Sequence, residues 1–177
     1  MDELVVSTVV CLPPDEVYDF LTEFPRYADY SEHLREVHAH GDGSPGTRYD
    51  LEFAWWKLTY TARSEVTATS PPTRIDWRLV DGLDAGGRWR IDPLDDVPPE
   101  VPDDAGAASR VFLEVEYDPD SVGTGTVDLP RFVSLDRVVS KVRPLVRSEA
   151  ERVVSRVVTD LEGRSRDVAL RIHRTPD

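Results

Sequence analysis

The chain has 177 residues, 40% of them apolar, and a formal charge of -13 from 34 acids against 21 bases. That length suits one domain with a core of its own. The charge, with arginines interleaved among acids and Lys57 and Lys141 the only lysines, excludes the clustered basic face that nucleic acid requires. It reads as a salt-adapted, halophilic surface, because at 1 M salt a Debye length of about 3 Å blunts carboxylate repulsion.

The first predicted element is a strand over Leu4 to Leu12, rich in Val and Thr and stopped by Pro13-Pro14. Asp2 and Glu3 stand where a secretory signal would be basic, and no apolar run in the chain approaches the roughly 20 residues of a membrane span. Cys11 is the single cysteine, so an internal disulfide or a cysteine zinc site is excluded. A cytoplasmic protein is expected.

A helix follows from Pro14. Proline suits its first turn, Asp15 and Glu16 complement its positive end, and Val17, Tyr18, Phe20, Leu21 and Phe24 form a buried face before Pro25 stops it. A second short helix is predicted within Arg26 to Leu34, then a strand over Arg35 to His40. The glycine-rich run 41–46 reads as a hairpin loop, since it lacks the Lys-Ser/Thr ending of a phosphate loop.

From Thr47 the pattern alternates. Tyr49, Leu51, Phe53 and Trp55 share one strand face; Leu58, Tyr60, Ala62, Val66 and Ala68 the next; Ile75, Trp77 and Leu79 a third. Trp89 and Ile91 face inward on a strand over Gly87 to Asp92, and Val111, Leu113, Val115 and Tyr117 on the last one. Arg48, Asp50, Glu52, Arg63, Glu65, Arg74, Asp76, Arg78, Arg88 and Arg90 fall on the opposite faces, the mark of an antiparallel sheet with one wet and one covered side. Residues 93–108 are acidic and proline-rich and read as a mobile loop.

The cover is supplied by Arg131 to Leu161, whose apolar residues, Val139, Val142 and Val146 among them, recur at helical spacing. Pro144 predicts a kink. Residues 163–177 are polar and read as a tail.

This order, strand, two short helices, about six further strands and a long helix, resembles the START-like superfamily with the helix-grip fold, in its polyketide cyclase/dehydrase or coenzyme-Q-binding-like branch. The resemblance rests on the segment from Val9 to Leu21, the Phe24-Pro25-Arg26-Tyr27 corner, the strand from Gly87 to Ile91 and the Val111 to Tyr117 strand. It implies an α+β domain over 1–162 in which a curved antiparallel sheet of about seven strands wraps around the C-terminal helix, with a cavity between them.

For such a cavity the inward aromatics Tyr49, Phe53, Trp55, Tyr60, Trp77, Trp89 and Tyr117 are the candidate lining, with Val139, Val142 and Val146 on the helix. Tyr60 and Tyr117 are the candidate polar contacts. His38, with His40 and Glu36 beside it, could supply part of a zinc site, but a full ligand set is not evident; neither metal nor cofactor is expected. Glu52, Glu65, Glu114 and Glu116 face the wet side by parity, and no Gly-x-Ser-x-Gly elbow occurs, so no catalytic residue is assigned. An apolar small-molecule ligand is the expected partner. A cyclase or dehydratase in the same cavity, or an interaction module without ligand, are the alternatives; nothing in the sequence specifies an oligomeric state.

Overall fold

A computed structural model describes residues 2–23, 29–55, 58–95, 107–118, 121, 148, 151–163 and 170–174; for Trp55, Leu58 and Arg174 it describes the backbone alone. The elements, in chain order, are β1 (Asp2–Val10), α1 (Pro14–Thr22), β2 (Leu34–His40), β3 (Arg48–Trp55), β4 (Leu58–Ser70), β5 (Arg74–Leu79), β6 (Asp84–Pro93) and β7 (Ser109–Asp118). A C-terminal helix, α2, is described over 151–162, and β8 (Arg171–Arg174) closes the series. All eight strands form one antiparallel sheet in the order β2-β3-β4-β5-β6-β7-β1-β8.

Strands β2 to β7 run as a meander, each hydrogen-bonded to the next, and β1 returns to pair with β7 from Asp2↔Tyr117 to Val10↔Ser109. Hairpin chemistry explains the first turn. Gly41 adopts φ 140°, and a Cβ there would lie 2.5 Å from Thr47 Oγ1, so only glycine fits. Thr47 in turn accepts a hydrogen bond from the Gly43 amide at 3.0 Å.

The main core lies on one side of the sheet. Tyr49, Val66, Ile75, Ile91 and Val111 meet Val17, Tyr18, Phe20 and Leu21 of α1 and Val158 of α2 in a single buried cluster. Val153, Val154, Val157 and Leu161 pack against its margin. The stripe read over Arg131 to Leu161 thus contacts the sheet where it is described; its earlier part, with Val139, Val142, Val146 and the Pro144 kink, lies outside the described residues. Polar contacts fasten α2 at its flanks: Arg156 donates to the Tyr30 carbonyl at 2.9 Å, the Tyr30 hydroxyl donates to Asp160, and Glu162 accepts from the Cys11 amide at 3.2 Å.

Two expectations need correction, and two others lie partly outside the described residues. Among the described residues the sheet has eight strands, where about seven were expected, because Ile172 and Arg171 in the segment read as a polar tail pair with Val6 and Ser7 of β1. Four residues are too few to give a clear alternation, so this strand owes its existence to an available edge. A bulge between Val66 and Ala68 sets Ala68 opposite Asp76, on the wet side, and brings Thr69 inward beside Ile75; one inserted residue reverses the parity of everything after it. Of the helix expected within Arg26 to Leu34, residues 26–28 lie outside the described part, 29–33 contain no α-helix, and Leu34 already opens β2. The loop read over 93–108 is described only at 93–95 and 107–108, where the Leu94 amide donates to the Ala108 carbonyl at 3.0 Å. No helix among the described residues is long and apolar enough to cross a membrane.

Candidate functional site

Paired residues in a sheet share a face, so register assembles the inner surface row by row. Phe53 stands opposite Tyr60; Leu51 opposite Ala62; Tyr49 opposite Ser64, which faces Leu79. Farther along, Val66, Trp77, Gly87 and Val115 form one row, and Ile75, Trp89 and Leu113 the next. The helices cover this surface unevenly. Val66, Ile75 and Ile91 are buried, while Phe53, Tyr60, Trp77, Trp89 and Tyr117 retain part of their exposure.

The sequence-predicted lining therefore separates into two sets. Tyr49 is 2% exposed, and its hydroxyl donates to the Thr22 carbonyl at 3.4 Å; it belongs to the sealed core at the end of α1. Phe53 and Tyr60 stack with ring centroids 6.4 Å apart at 18°, a half-buried aromatic pair across β3 and β4. Burial, helped by the nearby Asp81 charge, pushes the Tyr60 hydroxyl pKa above its ordinary value, so it remains a neutral donor and acceptor near pH 7. Trp77 and Trp89 face the same side on β5 and β6, and Tyr117 sits at the far end of β7 opposite Asp2 and Ala85. The backbone of Trp55 pairs with Leu58, but its side chain lies outside the described residues.

Three polar residues of the covered side were not among the candidate lining, although Tyr18 was read as part of the buried face of α1. Ser64 is 6% exposed between Ala62 and Val66, and strand parity alone would have found it. Tyr18 of α1 reaches Thr69, the residue turned inward by the bulge, and burial raises its pKa while that hydrogen bond lowers it less. No sequence signal locates the bulge. Tyr30 packs edge-on to Phe20, with centroids 5.8 Å apart, and joins α2 through Asp160.

The outer face holds the charges. Arg48 and Arg78 approach Glu65; Arg74 and Arg88 approach Asp76; Arg88 and Arg90 approach Glu114; Arg63 lies between Asp50 and Asp81. The Arg74 guanidinium, hydrogen-bonded to Asp76 at 2.8 Å, holds that carboxyl below the usual range, with Arg88 adding to the effect. The histidines considered for zinc are on the exposed side: His38 bonds Glu36 at 3.0 Å and His40 bonds Asp50 at 3.2 Å. Among the described residues no group of three or more His, Cys, Asp or Glu side chains could hold a metal ion.

A helix-covered antiparallel sheet with aromatics on the covered side is the setting in which the sequence comparison becomes informative. The family described as polyketide cyclase / dehydrase and lipid transport matches residues 1–162. The chain belongs to this family. Among solved structures, the Zhui aromatase/cyclase from Streptomyces sp. R1128 superposes with a TM-score of 0.60 at 16% identity, covering 90% of this chain and 93% of that one. A START superfamily protein from Mycobacterium smegmatis gives 0.57 at 15% identity over 91% and 99%. The di-domain ARO/CYC StfQ from the steffimycin biosynthetic pathway gives 0.52 at 16% identity, covering 89% of this chain and 50% of that one. At such identities the likeness is one of fold. No match was found among curated proteins.

Proposed function

We propose that this family member binds an apolar small molecule, a lipid, isoprenoid quinone or polyketide-like aromatic, between the inner sheet face and the C-terminal helix. The observation that carries the reading is the set of Phe53, Tyr60, Trp77 and Trp89, large aromatics on the helix-covered side that internal packing leaves partly exposed while Ile75 and Ile91 on the same face are sealed. Folding gains most from aromatics when they are fully buried, so covered but unsealed aromatics are a surface that a ligand can complete. Trp55, Tyr117 and Val139, Val142 and Val146 extend this lining in the proposal. The family description, which includes lipid transport, and the aromatase/cyclase neighbour are compatible with it. Catalysis of cyclisation or dehydration would need an inward acid or base, whereas Asp50, Glu65, Asp76 and Glu114 are all committed to arginines on the outer face. Binding is therefore the preferred reading.

The test is calorimetric titration with quinones, fatty acids and polycyclic aromatics, with melting temperature as a second readout. Saturable binding that raises the melting temperature by mass action is expected. Ala62, on the inner face between Tyr60 and Ser64, gives the control. In a cavity Ala62→Trp fills space, leaves the fold stable and abolishes binding. A solid core would instead lose about 1–3 kcal/mol to overpacking. That loss, with no binding by any compound, overturns the proposal in favour of an interaction module.

A further inference from the structure

Among the described residues one side-chain polar atom is both sealed from solvent and without a hydrogen-bond partner: the indole nitrogen, Nε1, of Trp77. Buried donors almost always find acceptors, because an unpaired one forfeits its hydration with no return. The surroundings of this indole explain why it has not turned to find one. Trp77 lies between Val66 on β4 and Gly87 on β6 in the inner-face register. Gly87 leaves the ring room to lie against the sheet: a Cβ there would sit 3.0 Å from Trp77 Cζ2 and 2.2 Å from the Glu114 carbonyl oxygen. The missing side chain thus seats the ring of a residue that the register puts on the covered face.

We infer that Trp77 is a specificity-determining residue of the proposed site, its Nε1–H donating to an acceptor oxygen on the ligand, of the ketone or quinone carbonyl class. This rests on the ligand-binding reading above and narrows it. A donor already desolvated in the free chain loses no further hydration when an acceptor arrives, so an oxygen-bearing ligand gains over a hydrocarbon of the same shape. The atom is sealed in the free chain, so the contact requires a local rearrangement as the ligand enters.

Fluorenone and fluorene, one tricyclic skeleton with and without a carbonyl, are suitable probes. Fluorenone is expected to bind about tenfold tighter, ~1.4 kcal/mol, and Trp77→Phe to remove that preference while still binding fluorene. Indole nitrogen-15 NMR of the unaltered chain provides a readout that does not depend on the variant folding. The Trp77 signal should shift with fluorenone and much less with fluorene. Equal affinities, or a Trp77 signal that stays still while other tryptophan signals respond to fluorenone, overturn the role of Trp77 and leave the ligand site standing. Failure of both probes to bind overturns the inference, while the titration with quinones, fatty acids and polycyclic aromatics decides the site by itself.

Discussion

The two faces of this sheet solve opposite problems with the same strands. On the inner face, side chains are mostly apolar and the helices remove many of them from water; the stabilisation is non-directional, at about 25 cal/mol per Å² of apolar surface buried. On the outer face, six arginines, Arg48, Arg63, Arg74, Arg78, Arg88 and Arg90, are interleaved with six carboxylates, Asp50, Glu65, Asp76, Asp81, Asp92 and Glu114. Phe112 joins this face, with the Arg90 guanidinium 4.0 Å above its ring. Individual exposed pairs contribute little, typically 0.2–1 kcal/mol. The lattice balances its own charge, so the excess behind -13 resides elsewhere on the chain. The difference teaches that the inner face sets whether the chain folds and the outer face how the folded chain responds to pH and salt.

The largest effect should come from removing the cover. Truncation after Leu129 deletes α2, with buried Val158 and the packed Val153, Val154, Val157 and Leu161. At ~1.5–3 kcal/mol per buried side chain this matches the whole stability of a typical domain, about 5–15 kcal/mol. An insoluble or non-cooperatively melting product is expected by circular dichroism. A sharp melt from the soluble fragment would show that the inner face does not depend on the helix.

Next in size is Gly87→Ala, which adds one methyl where strand β7 and Trp77 leave no room. A loss of about 3 kcal/mol is expected, seen as a lower urea midpoint, since the obstacle at 2.2 Å is backbone and cannot rotate aside. Gly86→Ala, whose Cβ would stand 3.2 Å from the Trp77 carbonyl oxygen, should cost less.

On the outer face the effect should be smaller and pH-dependent. The folded Asp76 carboxyl, held charged by Arg74, titrates below the ordinary aspartate value of about 3.9. Its stabilisation is therefore complete above that value and is lost as pH falls through the lower folded one. Asp76→Asn should destabilise by ~1 kcal/mol at pH 7 and flatten the acid side of the stability curve, and urea melts from pH 7 to 3 would show it. An unchanged acid limb would remove Asp76 from the lattice's account.

Salt gives the finest discrimination between the regions. Screening weakens the balanced lattice but relieves the unbalanced excess. With 34 acids to 21 bases the second effect should win, raising the melting temperature by a few degrees between 0.1 and 2 M KCl. A falling melting temperature would mean that the arginine lattice dominates.

Much of this was legible in the sequence, for a physical reason. Strand alternation has period two and helix periodicity 3.6, and both are local, so β3 to β7, α1 and the inward placement of Phe53, Tyr60, Trp77 and Trp89 followed from spacing alone. The resemblance rested instead on particular segments, Val9 to Leu21 and Gly87 to Ile91 among them, and the family match over residues 1–162 bears it out. Tertiary structure decided the rest. The bulge that turned Ala68 outward, the pairing of Arg171–Arg174 with β1, where His173 Nε2 meets buried Ser7 Oγ at 2.7 Å, and the missing partner of Trp77 Nε1 all depend on what another strand offers. A residue's own neighbours fix which way it points along a strand, but a hydrogen-bond partner a hundred residues away, or its absence, is set only when the strands are laid side by side.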